Sequence, residues 1–170
     1  PLECFKFLLS YVVTRRRTRR GGLIKVGFVD VSRAHFHAPA SRDMFIKLPY
    51  EDGGEDPTLC GWLQQSLYGT QDAAGNWERA YTKMFVDHKY KQGVGAPTIF
   101  VSEDGEILVM VHGDDFIGAS DDEGLKEFRE MMDGSFEIKW RGTLGPYEGD
   151  KQEIVVLNRK VRVVVEGRPE

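Results

Sequence analysis

Cysteine is scarce: the 170 residues hold only two, Cys4 and Cys60. Two cysteines cannot build a dense disulfide framework, and this pair lacks metal-knuckle spacing, so the composition fits a reducing compartment. Long hydrophobic runs are lacking too. The longest, Phe7 to Val13, is too short to cross a bilayer and is interrupted by Ser10. The basic cluster follows that run instead of preceding it, the wrong order for a secretory signal. There is no internal repeat, no low-complexity linker and no phosphate-loop glycine spacing; Gly53-Gly54 and Gly93-x-Gly95 read as loop glycines. These absences exclude a membrane span, a secreted mini-protein and a fibrous protein. What is present, 41% hydrophobic, 11% aromatic and 29% charged residues, is enough to build the core of one domain or one domain with a small appendage.

The net charge of -4 conceals a split. Residues 1–25 carry seven basic groups against one acid, Glu3, while the remainder is strongly acidic. The dense segment is Arg15-Arg16-Arg17-Thr18-Arg19-Arg20. Such a run either holds phosphates, serves as a nuclear address, or is a solvated loop whose arginines repel one another. An acidic remainder is compatible with nucleic-acid work, because an enzyme that holds metal ions needs clustered carboxylates.

Periodicity predicts a helix over 2–14, with Leu2, Phe5, Leu9, Val12 and Val13 apolar, ended by the arginines and Gly21-Gly22. Leu23 to Val31 reads as a buried strand, Met44 to Leu48 as a short strand, and Glu51 to Pro57 as loop. Ala73 to Lys89 has helical spacing through Trp77, Tyr81, Met84 and Phe85, with Asp72 as N-cap. Thr98–Ser102 and Glu106–Gly113 form a hairpin about Glu103-Asp104-Gly105. A strand over Phe116–Ala119 follows, then a helix over Asp121–Met132 capped by Ser120 or Asp121. A strand over Phe136–Trp140 and a hairpin of Glu153–Leu157 with Val161–Val165 complete the pattern. Without a regular βαβ rhythm, the expected class is α+β, an antiparallel sheet with helices packed on one face. The expected division is 1–22 as N-terminal helix and basic loop, 23–145 as catalytic core, and 146–170 as C-terminal hairpin.

Two stretches concentrate acid at strand ends. Val26-Gly27-Phe28-Val29-Asp30-Val31 delivers one carboxylate from an apolar strand. Val109-Met110-Val111-His112-Gly113-Asp114-Asp115-Phe116-Ile117-Gly118 places two between apolar halves, at a hairpin tip. If these strands are neighbours, Asp30 and Asp114 converge, whereas Asp115 shares that point only if the turn redirects it. Gathered carboxylates repel, and a hard divalent cation reverses the sign of that interaction. Two such ions would support phosphoryl transfer. The plain alternative is a pair of solvated turn aspartates.

The chain resembles the reverse transcriptase domain of copia-type retrotransposons, in several segments and in the expected order. Asp30-Val31-Ser32-Arg33-Ala34-His35-Phe36-His37 resembles the first catalytic block of that family. Met44-Phe45-Ile46-Lys47-Leu48-Pro49 resembles the strand and proline that follow. Leu63-Gln64-Gln65-Ser66-Leu67-Tyr68-Gly69, continuing to Trp77, resembles the S-L-Y-G segment, and Val111-His112-Gly113-Asp114-Asp115 stands at the Y-V-D-D position. Phe136-Glu137-Ile138-Lys139, with Gly142 and Leu144-Gly145, resembles the F-E-M-K-D-L-G segment.

The resemblance implies a polymerase palm, a partial right-hand fold lacking most of the fingers and thumb. It implies an RNA or DNA template-primer, dNTP and two Mg²⁺ ions, or Mn²⁺ in their place. By position, Asp30, Asp114 and Asp115 would be the catalytic acids and, with the Val31 carbonyl, the metal ligands. Arg33, Ala34, His35, Tyr68 and Gly69 would contact the incoming nucleotide, and His112 and Gly113 the primer end. Arg15, Arg16, Arg17, Arg19 and Arg20 are candidate nucleic-acid contacts. Integrase and RNase H regions of the same polyprotein are the implied partners, with no membrane. The implied location is cytoplasmic, including virus-like particles, or nuclear.

Four positions depart from the family pattern. His35 replaces an aromatic residue that polices the sugar 2′-hydroxyl, His112-Gly113 replaces Tyr-Val, and Ala74 replaces a proline. The triphosphate-clamping fingers hairpin would precede residue 1 and the thumb would follow residue 170, so the chain reads as an excised or degenerate piece with little or no polymerase activity alone. Two rivals remain: a non-catalytic relic, and a metal-dependent hydrolase using His35, His37 and His112 with Asp114, His-x-His being one way to hold zinc. Trp77, Tyr81 and Phe85 are expected in the core. Trp62 and Trp140 either stack on bases or pack internally, the latter being the ordinary fate.

Overall fold

The structure, a computed structural model, describes residues 2–164. In chain order it contains helix α1 (Leu2–Arg15), strand β1 (Lys25–Val31), a 3-10 turn at Ala34–His37, β2 (Phe45–Ile46), a second 3-10 turn at Tyr50–Asp52, and β3 (Gly61–Trp62). Helix α2 (Ala73–Asp87) follows, then β4 (Lys91–Gln92), β5 (Ile99–Val101), β6 (Leu108–His112), β7 (Asp115–Ser120) and α3 (Asp122–Ser135). Strands β8 (Ile138–Leu144), β9 (Glu153–Val156) and β10 (Arg159–Arg162) end the described chain. The α+β class is as expected. The expected last strand ran to Val165, which lies outside the described residues.

Contacts divide the chain into two compact units, residues 1–32 with 85–170, and residues 33–84. The first holds a six-stranded sheet in the order β4-β5-β6-β7-β1-β8, antiparallel at every pairing. β1 is apolar over Val26–Val29 because it is internal, flanked by β7 and β8 and covered on both faces.

The coverage corrects the one-face expectation. Side chains alternate along a strand, so Val26 and Phe28 share one face and Gly27 and Val29 the other. On the first face, Val26, Phe28, Leu108, Met110, Ile117 and Ala119 form one apolar cluster with Phe5 and Leu8 of α1 and Ile154 and Val156 of β9. On the second, a Cβ at Gly27 would meet Leu125 of α3 at 3.1 Å, and one at Gly118 would meet Phe128 at 2.7 Å. Phe85 stacks on Phe100 there, with ring centroids 4.3 Å apart, and lies 6.1 Å from Phe116. The apolar stripes of α1 and α3 were legible, but stripes do not say which side of a sheet they cover.

The Asp121 side chain caps α3, accepting the Gly124 N–H at 3.0 Å, and also accepts from Thr18 Oγ1. That second bond belongs to a clasp formed by the arginine segment. Arg15 donates to Glu106 at 3.0 Å and to the Gly105 carbonyl at 3.1 Å, and the Arg19 N–H donates to Glu106 at 2.8 Å. Arg20 pairs with Asp104 and Glu127 at 3.0 Å each, and with Glu123 at 3.4 Å. The Ser102 hydroxyl first, and Arg20 after it, hold the Asp104 carboxyl below its ordinary range. Glu106 is the anchor, its side chain only 5% exposed. Glu106→Gln keeps the shape and removes the charge, and should lower stability by about 2 kcal/mol in urea unfolding, the loss of hydrogen bonds to a charged group.

The second unit contains the β2–β3 ribbon, in which Phe45 pairs with Trp62, and the greater part of α2. Asn76 on α2 donates to the Ser66 hydroxyl at 2.8 Å, and Ser66 is fully buried. Trp77 and Tyr81 are buried as expected, with edge-to-face rings 5.5 Å apart. Burial pushes the Tyr81 hydroxyl up to about 12. The Asp72 carboxylate accepts from Ser41 Oγ at 2.7 Å and pairs with Arg42 at 3.4 Å.

Candidate active site

The acids stand where β1, β7 and the β6–β7 turn meet. His112 and Asp115 are register partners, so Gly113 and Asp114 are the two central residues of a tight hairpin. Gly113 has φ +63, and glycine at the first central position is what a type II′ turn requires. The Gly113 that departs from the family pattern is therefore the residue that lets this turn close.

Strand β1 places Asp30 directly opposite Asp115 on β7. The Val31 N–H donates to the Asp114 carbonyl at 2.9 Å, so Val31 and Asp114 form the hydrogen-bonding position and Asp30 and Asp115 the non-hydrogen-bonded one. Opposed residues of that kind have Cα atoms only about 4.5 Å apart, and like charges so placed are destabilising. The register partner of Asp30 is Asp115, and Asp114 sits exposed in the adjoining turn, with both Asp30 and Asp114 close enough to act on the Asp115 carboxyl. Residue alternation could not decide this, because it depends on where the two-residue turn begins.

A cation answers the opposed acids. β1 and β8 slip register between Phe28, which faces Gly142, and Val29, which faces Trp140. Arg141 is left as the extra residue of a β-bulge, and Gly142 takes φ +122, which only glycine adopts readily. The bulge aims Arg141 across β1: its guanidinium donates to Asp115 Oδ1 at 3.2 Å and to the Val155 carbonyl at 3.3 Å. Burial pushes the Asp115 carboxyl above its ordinary range; Arg141 opposes that shift, while Asp114 and Asp30 add to it. Arg141 was missed in the sequence, where only the following Gly142 hinted at a bulge.

Chemically the tip offers oxygen donors of the kind a hard divalent cation takes: three carboxylates, two of them raising the pKa of the third, with Arg141 on Asp115 and Lys139 standing opposite Asp30 in the β1–β8 register. Geometrically it is not yet a cage. Among the described residues, no group of three or more His, Cys, Asp or Glu side chains could hold a metal ion. This applies to the three aspartates as arranged.

The candidate nucleotide residues Arg33, Ala34, His35, Tyr68 and Gly69 all lie in the second unit. Arg33 has φ +52 and leads into the 3-10 turn that carries Ala34 and His35. The His35 ring stacks on Tyr68 at 4.2 Å, and Phe36 meets the same tyrosine edge-on at 5.6 Å. Ala34 is buried, while Tyr68 and Gly69 are exposed. His35 Nδ1 is buried with no hydrogen-bond partner.

Of the arginine run, Arg15, Arg19 and Arg20 are held by the clasp acids, and Arg17 donates to the Gly21 carbonyl at 2.6 Å. The acids that pair with Arg15, Arg19 and Arg20 lie about 85 to 110 positions further along, while Arg16 and Arg17 are exposed. Trp62 is 58% exposed and edges an open cleft of about 330 Å³ with Ser41 and Arg42. Trp140 is half-buried, under Arg129 at 5.5 Å.

The family model for reverse transcriptase (RNA-dependent DNA polymerase) matches residues 6–166. The chain is also 25% identical, over 129 residues, to the retrovirus-related Pol polyprotein from transposon TNT 1-94 of Nicotiana tabacum. That match covers 72% of this chain and 9% of the tobacco protein.

Proposed function

The chain belongs to the reverse transcriptase (RNA-dependent DNA polymerase) family, and on that premise we propose that residues 23–145 are the palm-like catalytic core of a retrotransposon polymerase. The observation that carries the proposal is the opposition of Asp30 and Asp115 across β1 and β7, with Asp114 in the adjoining turn. A sheet places like charges face to face at a cost, and a site that works on phosphates through cations is a reason to keep them there.

Asp30, Asp114, Asp115 and the Val31 carbonyl would hold two Mg²⁺ ions. When bound, such ions neutralise phosphate charge and lower the pKa of a primer 3′-hydroxyl. The chain's own residues do the rest. The β1–β7 ladder fixes the carboxylates. By resemblance, His112 and Gly113 flank the primer end. Arg33, Ala34 and His35 would line the incoming triphosphate and sugar, and Tyr68 and Gly69 would sit near the nascent base pair. Template-primer, dNTP and the integrase and RNase H regions of one polyprotein are the partners, in the cytoplasm or virus-like particles, or in the nucleus.

A second reading, a non-catalytic relic, is favoured by one observation: Asp115 is engaged by Arg141 and the three acids do not form a metal cage. Primer extension on poly-rA/oligo-dT with Mg²⁺ or Mn²⁺ separates the two. The polymerase reading expects extension that Asp114→Asn reduces by about 100- to 1,000-fold, the scale of losing one transition-state charge contact. No extension, even with the upstream fingers segment supplied, supports the relic.

A further inference from the structure

The geometry points to Arg141 as a resident counter-cation of the acidic tip, which competes with divalent metal for Asp115 and so sets the metal affinity of the site. The inference rests on the reading of the tip as a cation site.

Three observations carry it. Arg141 is the extra residue of the β8 bulge, and its neighbour Gly142 has the positive φ that such a kink needs. The side chain reaches past β1 to β7, where its guanidinium takes Asp115 Oδ1 at 3.2 Å. A second arm on the Val155 carbonyl tethers the guanidinium to β9, so it does not swing freely. Asp115 Oδ1 is thus engaged by the guanidinium, at a tip where, among the described residues, no group of three or more acids is arranged to hold a metal ion.

The contact also has a definite electrostatic direction. A fixed positive charge about 5 Å from a divalent ion, in water-like surroundings, weakens binding by roughly tenfold. Metal entry then requires the guanidinium to release Oδ1 or to share the carboxylate through its second oxygen. Arg141 is a positioning residue in this account: it touches the acid, not the substrate.

The test is Mn²⁺ binding, read by electron paramagnetic resonance of the free ion, on the full chain and on Arg141→Gln, Arg141→Lys and Asp114→Asn. Arg141→Gln should bind Mn²⁺ at least threefold more tightly than the parent chain, with roughly tenfold expected. Arg141→Lys keeps the charge and should stay within threefold. A structural defect would weaken binding, so tightening is a signature that simple loss of packing does not produce. Unchanged or weaker binding by Arg141→Gln overturns the inference, while Mn²⁺ binding lost in Asp114→Asn still supports the cation-site reading. No binding by either the parent chain or Arg141→Gln overturns both.

Should Arg141→Gln fail to fold, Mg²⁺ titration of the ¹⁵N-labelled parent chain decides the matter. The Arg141 guanidinium resonances must move as the ion binds. Resonances that stay still while Mg²⁺ binding shifts those of Asp114 overturn the inference.

Discussion

Truncating Phe128 to alanine is expected to destabilise the sheet-bearing unit by about 3–5 kcal/mol, the range for removing a fully buried aromatic ring. Phe128 is 0% exposed. Its ring lies over Gly118, where a Cβ would come within 2.7 Å of it, and Gly118 pairs directly with Gly27 across β1 and β7. Two opposed glycines thus hollow the sheet for α3, and the ring fills the hollow. The backbone cannot collapse into the space that truncation leaves, which puts the expected cost toward the upper end. Chemical denaturation measures it. Gly118→Val should also destabilise, by about 1–3 kcal/mol of overpacking, and the double variant should recover part of the loss. A double variant no better than the sum of the singles would show that ring and glycine are not packing partners.

Lys25→Met is expected to cost about 3 kcal/mol, the scale of breaking a buried ion pair from one side. The Lys25 side chain is 6% exposed and its partner Asp150 10% exposed, with Nζ 3.1 Å from Asp150 and 2.8 Å from Asp122. The Tyr147 ring covers the ammonium at 4.9 Å. Burial works against the charge of Lys25, but hydrogen bonds and attraction from Asp122 and Asp150 outweigh it, and its pKa is raised. The sign of the pH dependence follows. A raised cationic pKa contributes stability that is complete below the unfolded value, about 10.4, and is lost as pH rises through the folded one. Paired melting curves from pH 7 to 11 should show a constant gap between the parent chain and Lys25→Met up to about pH 10, closing above it. A gap that widens with pH would contradict the assignment. Replacing both Lys25 and Asp150 with apolar residues should restore much of the loss.

The elements with strong local patterns were legible. The mostly apolar stretch of β1, the β5–β6 hairpin about Asp104-Gly105 and the Asp121-capped α3 all stand close to where periodicity put them. Two-residue strands such as β4 carry too few side chains for alternation to show. What stayed hidden was whatever depends on register or on distant partners. Which aspartate faces Asp30 turns on a two-residue hairpin. The pairing of Arg15, Arg19 and Arg20 depends on acids that the fold, and not the local composition, brings near. Arg141 reaches Asp115 only because β8 bulges, and a one-residue slip has no hydrophobic signature.

Strand β1 occupies the interior of the sheet between β7 and β8, both made much later in the chain. At about 5–20 residues per second of ribosomal synthesis, β1 emerges roughly 4 to 17 seconds before its first hydrogen-bonding partner exists. Throughout that interval an apolar ribbon with both edges bare is available to any other nascent strand or holdase that meets it. Vectorial production therefore leaves the most buried strand of this chain as its most sticky intermediate, and misassembly in the cell should begin there.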